Sequence, residues 1–158
     1  MEIRLTEGEE DKEFLFRVYS SSREEEMSLW GWFDDQKQQF LYMQHEAQQR
    51  FYRQQYPKLR YQIILVDGEK AGRVAIVEME KEFVLVDIIL LPEYQNRGIG
   101  TWFLQKLQGE ALDKNMSVRL SVLNDSRARA LYERFGFRAI EDSDVYTIMK
   151  WNGQKSQL

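Results

Sequence analysis

The first third of the chain places its apolar side chains at the spacing of α-helices. After a short extended stretch at residues 2–6, apolar positions recur every three or four residues and predict two helices. The first helix is predicted from Phe14, Leu15 and Val18, and the second from Phe40, Met43, Ala47 and Phe51. We expect the serines at residues 20–22 to weaken the first helix, because hydroxyls compete for backbone hydrogen bonds. Asp34 or Asp35 should cap the second helix, which should end before Pro57.

From residue 61 the pattern changes to short runs rich in valine and isoleucine, which is typical of β-strands. Residues 61–66, 71–79 and 83–91 form three such runs, and the polar turns between them predict an antiparallel meander. The third run is apolar on both faces of the strand. We therefore expect it to be central in its sheet and covered on both sides.

The last third of the chain mixes the two patterns. It predicts, in chain order, a helix through Ile99, Phe103, Leu107 and Ala111, a strand at 118–122, a helix at 128–135, and strands at 137–141 and 145–151. Asp125 or Ser126 should cap the second of these helices, and Gly136 should end it.

The complete order of elements is β-α-α-β-β-β-α-β-α-β-β. It predicts an α/β (α+β) fold in which a mixed, mostly antiparallel central sheet carries helices on both faces. We expect a single domain over residues 1–158, with a core at about 1–151 and a short polar tail at 152–158.

The composition removes several classes of function. The 158 residues include no cysteine and a single histidine, His45, so we expect no thiolate chemistry, no disulfide and no metal site. We expect His45 to be a surface or partly packed residue without a catalytic role. The net charge of −4 argues against a nucleic-acid partner. No apolar stretch approaches the ~20 residues that cross a bilayer and the N-terminus lacks a secretion signal, so we expect a cytoplasmic protein without membrane contact.

Residues 95–101, QNRGIGT, join the central strand to the next helix and have the character of an anion site. A helix N-terminus leaves about four amide N–H groups without partners and carries about half a positive charge. Gly98 and Gly100 remove side chains from the first turn and Arg97 adds a cation, which suits a pyrophosphate. The segment is neither a P-loop nor a dinucleotide fingerprint, because GxxxxGK[ST] is absent and Phe103 stands at the third glycine position. The alternative is a tight turn with no ligand.

The same residues resemble a motif of the GCN5-related N-acetyltransferase (GNAT) family. Gln95 to Gly100 meet the pattern Q/R-x-x-G-x-G/A in full, and residues 128–137, ARALYERFGF, resemble the family's helix with its tyrosine and the Gly-Phe that follows. The resemblance implies acetyl-CoA as cosubstrate and direct transfer of its acetyl group, in a ternary complex, to a primary amine of a small molecule or peptide. The competing hypothesis is a non-catalytic acyl-CoA-binding or interaction domain with the same fold.

The resemblance also implies roles for single residues. The backbone amides of residues 96–101 would hold the CoA pyrophosphate, and the strand at 88–90 would pair with the pantetheine arm where two parallel strands splay apart. Tyr132 would protonate the departing thiolate, against the alternative of a core aromatic. The predicted cofactor-binding residues are Ile88, Ile89, Leu90, Gln95, Asn96, Arg97, Gly98, Ile99, Gly100, Thr101 and Asn124.

Two positions depart from the family pattern. The family's cofactor-contacting asparagine falls on Asp125, and we assign that role to the neighbouring Asn124. Ser121 stands near the position where the family often has a glutamate as general base. Asp87, a carboxylate in an apolar strand, is the first candidate for the base, because burial would raise its pKa.

The other readings of these positions remain open. Asp87 is about equally well explained as a hydrogen-bonded structural carboxylate, and Glu78, Glu80 or a water chain could serve as the base. The resemblance places the acceptor site under the first two helices, where residues 23–32 hold carboxylates and two tryptophans. Such a charge run is more typical of a solvated helix face than of an amine site. The identity of the amine and the oligomeric state, with a homodimer among the alternatives, stay open.

Overall fold

The structure is a computed structural model and describes residues 1–153. Its strands are β1 (Ile3–Glu7), β2 (Arg60–Val66), β3 (Glu69–Glu78), β4 (Glu82–Leu90), β5 (Ser117–Leu123), β6 (Arg138–Asp142) and β7 (Tyr146–Trp151). Its helices are α1 (Lys12–Ser28), α2 (Asp34–Gln55), α3 (Ile99–Asp113) and α4 (Ala128–Arg134), with a short 3₁₀ turn at Pro92–Tyr94. This is the predicted order of elements. Of the predicted tail, residues 154–158 lie outside the described part of the chain.

The seven strands follow the order β1-β2-β3-β4-β5-β7-β6. Strand β4 is fourth of seven, which confirms its predicted central place. It pairs with β5 in parallel, whereas β1 with β2, β5 with β7, and β6 with β7 are antiparallel. The parallel register runs from Glu82 opposite Ser117 to Leu85 opposite Leu120, although β4 itself continues to Leu90.

The chain forms two compact units. The first comprises Met1–Ala75 and Asp87–Gln95, and the second comprises Ile76–Val86 and the chain from residue 96 onward. In the first unit, Phe14 and Val18 of α1 pack with Ile63 and Leu91, and Tyr19, Met27 and Leu41 form a second apolar cluster. In the second unit, α3 buries the four positions that its sequence spacing predicted, Ile99, Phe103, Leu107 and Ala111, together with Leu104.

Helix α1 runs unbroken through its serines, and the hydroxyls of Ser21 and Ser22 donate back to the carbonyls of Val18 and Tyr19 at 2.7 and 2.6 Å, a contact that weakens a helix slightly without ending it. The starts of two other helices differ from the sequence prediction. Helix α4 begins at Ala128 after Arg127, so neither Asp125 nor Ser126 is its cap. Helix α2 begins at Asp34 after Phe33, so neither predicted aspartate is its cap. Both lie in the first turn, where negative charge complements the helix dipole. None of the helices in residues 1–153 combines the length and apolar character needed to cross a membrane.

Candidate active site

The glycine turn before α3 lies in the second unit and leaves the start of the helix open. Gly98 has a φ of 81° and precedes the first helical residue, Ile99, which is buried. No side chain caps this N-terminus. No heavy atom lies within 4 Å of the position that a Cβ would take at Gly98 or Gly100. The amides of the first turn therefore combine a free approach with the positive end of the helix, as an anion site requires.

The end of β4 lies in the first unit and presents backbone to one edge of the strand. Residues 86–90 are only partly buried. The amide of Leu91 donates to the carbonyl of Ala71 on β3 at 2.8 Å, and the carbonyl of Ile89 also approaches β3, at Gly72. Since alternate residues of a strand face opposite edges, the backbone groups of Ile88 and Leu90 face away from β3. The side chain of Gln95 donates to the Leu90 carbonyl at 3.1 Å on that side.

Asp87 has a charged partner that the sequence analysis did not identify. Its Oδ2 accepts a hydrogen bond of 2.7 Å from the guanidinium of Arg73, which is fully buried. The same guanidinium donates to the carbonyl of Leu15, to Nε2 of His45 and to Oε1 of Gln48 at 3.1, 2.9 and 3.0 Å. These five residues all belong to the first unit. We call them the Arg73 network.

The network gives Asp87 the ion pair that a carboxylate in an apolar strand needs. This supports its reading as a structural carboxylate, while its role as general base stays a prediction. A signal for the pair was present in the sequence. Arg73 is the single charge within residues 71–77 and Asp87 is the single charge within residues 83–91, and strands joined by a short turn bring such charges to neighbouring positions.

His45 is a buried residue of this network, which corrects its expected surface or partly packed position. Its side chain is 2% exposed and lies against Tyr19, with ring centroids 5.0 Å apart. Burial, and then the charge of Arg73, lowers the pKa of His45 to about 4. A neutral imidazole can accept a hydrogen bond from an arginine that only donates. Nothing in the glutamine-rich sequence around His45 predicts that this residue is buried.

Two tyrosines flank the Arg73 network. Tyr61 is completely buried, its ring lies 5.6 Å from the Arg73 guanidinium, and its hydroxyl has no hydrogen-bond partner within residues 1–153. Burial, and then the negative charge of Asp87, raises the pKa of Tyr52 to about 12. Burial also raises the pKa of Tyr61. Neither phenol can therefore act as a base near neutral pH.

Tyr132 lies on α4 in the second unit and is 8% exposed. Its ring contacts Phe137 at a centroid distance of 5.7 Å, and its carbonyl accepts a hydrogen bond from the amide of Phe137 at 3.0 Å. The turn through Gly136, which has a φ of 89°, makes this contact between helix and following strand possible. The ring of Tyr132 is thus packed within the second unit, and its role as the acid stays a prediction.

The amide of Asn124 is engaged within the second unit. Its Nδ2 donates to the carbonyl of Ser143 at 2.8 Å, and its Oδ1 lies 2.6 Å from the hydroxyl of Thr147, a fully buried residue. Nη1 of Arg129 bonds the Thr147 hydroxyl at 3.0 Å. This arrangement holds the turn between β6 and β7. The cofactor role of Asn124 stays a prediction, and in this conformation its side chain serves the turn.

The structure gives little support to the alternative candidates for the general base. Glu78 forms an exposed ion pair with Lys114 at 2.8 Å, Glu80 lies in the exposed turn after β3, and Ser121 is exposed.

Within residues 1–153 no three histidine, aspartate or glutamate side chains are grouped as metal ligands. The expectation that the reaction needs no metal remains a prediction.

The segment between α1 and α2 carries an aromatic cluster with its own cleft. Trp30, Trp32 and Phe40 contact one another edge to face at centroid distances of 5.1 to 5.8 Å. A cleft of about 300 Å³ is lined by Trp32, Gln36, Gln39, Phe40 and Met43. Glu24, one of the carboxylates within residues 23–32, is paired with Lys37 at 2.8 Å. The charge of this carboxylate is thus already neutralised by an ion pair.

Comparison with known proteins agrees with this arrangement of elements. The model of the acetyltransferase (GNAT) family matches residues 15–137. A thialysine N-epsilon-acetyltransferase of Bos taurus is 33% identical over 76 residues, a match that covers 47% of this chain and 45% of that protein. The chain thus matches less than half the length of this curated relative.

Two solved structures share the fold across nearly the whole chain. The PaiA N-acetyltransferase of Thermoplasma acidophilum in complex with coenzyme A has a TM-score of 0.71 at 18% identity, covering 96% of this chain and 99% of that one. The ribosomal-protein-S18-alanine N-acetyltransferase of Escherichia coli has a TM-score of 0.66 at 17% identity, covering 99% of this chain and 97% of that one. At these identities the similarity shows the fold alone.

Proposed function

The chain belongs to the GNAT acetyltransferase family, and from this premise we propose that it is an acetyl-CoA-dependent N-acetyltransferase. It transfers the acetyl group directly to a primary amine of a small molecule or peptide within a ternary complex. The names of the relatives support this substrate class, since one acts on thialysine and another on a protein alanine.

The observation that carries the proposal is the open start of α3. Gly98 and Gly100 leave its first-turn amides accessible, and no side chain satisfies them as a cap. Those amides and the helix dipole would bind the pyrophosphate of CoA. The edge of β4 that carries the backbone of Ile88 and Leu90 would bind the amides of the pantetheine arm as an added strand.

The chemistry then needs an acid and an amine without its proton. The amine nitrogen forms a bond to the thioester carbonyl carbon, and the tetrahedral intermediate breaks the carbon–sulfur bond to release the CoA thiolate. Tyr132 would give its proton to that thiolate and would afterwards take up a proton from water, which restores the phenol. The amine proton would pass to Asp87, or through water to solvent if Asp87 serves only as the partner of Arg73. Much of the rate would come from alignment of the neutral amine with the thioester.

The second candidate, a non-catalytic domain that binds acyl-CoA, is favoured by two observations. Asn124 is bound within the turn between β6 and β7, and Ser121 occupies the strand position where the family often has a base. A cytoplasmic location, an oligomeric state such as a homodimer, and the absence of nucleic-acid and membrane partners stay predictions.

A thiol-release assay decides between the two candidates. Purified protein and acetyl-CoA are incubated with a panel of amino acids, polyamines, aminoglycosides and peptides with free N-termini, and free CoA is followed with a thiol reagent. We expect release that depends on one class of amine, with the acetylated amine detected by mass spectrometry. Tight CoA binding without release for any amine would favour the non-catalytic domain. Absence of CoA binding would remove both candidates.

A further inference from the structure

Three consecutive residues of β3 hold the end of β4 by three different contacts. The carbonyl of Ala71 accepts a hydrogen bond from the Leu91 amide at 2.8 Å, Gly72 lies directly against the backbone of residues 89 and 90, and Arg73 pairs with Asp87. All of these residues belong to the first unit.

No residue larger than glycine fits at position 72 unless β4 moves. A Cβ at this position would lie 2.4 Å from the carbonyl oxygen of Ile89 and 3.1 Å from the Cα of Leu90. Both are backbone atoms, so no side-chain rotation relieves the overlap. Even an alanine must therefore displace the strand at the residues that would face the pantetheine arm.

Arg73 holds the same end of β4 at Asp87. Its guanidinium is fully buried and donates to four acceptors, of which Leu15 belongs to α1, His45 and Gln48 to α2, and Asp87 to β4. A guanidinium held at so many points cannot follow a moving partner, and it is costly to bury unless those bonds are kept. Asp87 directly precedes Ile88, so the ion pair anchors the first residue before the proposed arm-binding backbone.

We propose that Gly72 and Arg73 are positioning residues for the cofactor, which set the place of the Ile88–Leu90 backbone and thereby the affinity for the pantetheine arm. The inference rests on the proposed function, since it takes acetyl-CoA as the ligand of this strand. Neither residue needs to touch the cofactor. Strand addition depends on hydrogen bonds of about 2.9 Å, so a displacement of about 1 Å removes them.

Two ligands separate this role from a general contribution to folding. CoA contains the pantetheine arm, and 3′-phospho-ADP has the same nucleotide and pyrophosphate without it. Gly72→Ala displaces the strand, and Arg73→Lys keeps the charge but loses the planar fork that reaches several acceptors. Gly109→Ala on α3 is the matched control, since no heavy atom lies within 4 Å of its Cβ position. Calorimetry measures both affinities, and circular dichroism verifies folding.

We expect the Kd of CoA to rise at least about tenfold in Gly72→Ala and Arg73→Lys, which corresponds to the loss of two ordinary hydrogen bonds. The Kd of 3′-phospho-ADP should stay within about twofold of wild type, and Gly109→Ala should bind both ligands normally. Unchanged CoA affinity, or an equal loss for both ligands, would overturn the positioning role. If one variant does not fold, the other decides. Wild-type protein that binds neither ligand would contradict the proposed function instead.

Discussion

His45 should make the stability of the protein sensitive to mild acid. The imidazole is 2% exposed, and its Nε2 accepts a hydrogen bond of 2.9 Å from Arg73. Protonation would place a second positive charge against the guanidinium in a site closed to water. Burial, and then that charge, lowers the pKa of His45 from 6.5 to about 4 in the folded protein. Lowering the pH is therefore the perturbation that tests this contact.

The sign and size follow from the two pKa values. Between pH 6.5 and about 4 the unfolded chain binds a proton at His45 that the folded protein refuses, so the free energy of unfolding falls as the pH falls. The contribution of His45 is fully present above pH 6.5. One pKa unit corresponds to about 1.4 kcal/mol, which gives a loss of about 2 kcal/mol by pH 5 and about 3 kcal/mol by pH 4.

Urea unfolding at pH 7.5, 6.5, 5.5 and 5.0 measures this loss, with His45→Gln as the comparison. Glutamine keeps an oxygen acceptor for Arg73 and does not titrate. We expect the stability difference between wild type and variant to change by about 2 kcal/mol across this range, in favour of the variant as the pH falls. Parallel losses in the two proteins would refute the reasoning. Asp11, whose pKa is lowered by its hydrogen bond with Lys70, loses its contribution below this range.

Three further predictions concern the proposed reaction. Gly98→Val should weaken CoA binding in a folded protein, as measured by calorimetry. Gly100→Val tests the same turn without the strain of a left-handed φ. Unchanged CoA affinity in both variants would remove the pyrophosphate assignment. Tyr132→Phe should keep CoA affinity while kcat falls ~100-fold, and a wild-type rate with a substrate whose chemical step is limiting would contradict the acid role. Asp87→Asn should lower the rate most at moderately low pH if Asp87 is the base, whereas an unaltered pH–rate profile would leave it a structural role.

The fold followed from the sequence where local pattern and packing agree. Helix α3 buries the apolar positions that its spacing predicted, and β4, apolar on both faces, is the central strand. The prediction was wrong at the starts of two helices, where α2 begins after Phe33 and α4 after Arg127 instead of after a predicted polar cap. A run of neighbouring polar residues offers several possible caps, and packing of the helix decides where it begins.

Recognition of CoA could be predicted from the sequence more fully than the state of the acid or base, and the reason is physical. The proposed recognition of CoA relies on backbone amides and on glycines that keep them open, so a contiguous motif at Gln95–Gly100 is enough to predict it. The state of an acid or base depends on side chains that only the fold brings together. Arg73, 14 residues before Asp87, decides what that carboxylate can do, and α2 contributes His45 to the same contact.

This asymmetry bears on how the amine would lose its proton. An Asp87 carboxylate held by a buried guanidinium has its charge balanced within the fold, so removal of Arg73 would free a base but would also release the strand that it anchors. The ion pair therefore serves position more directly than proton transfer. An enzyme in which Asp87 has this positional role would react with the fraction of the substrate amine that is already neutral in solution. Its rate would then rise with pH according to the pKa of the amine, and acceptors of lower pKa would react at lower pH.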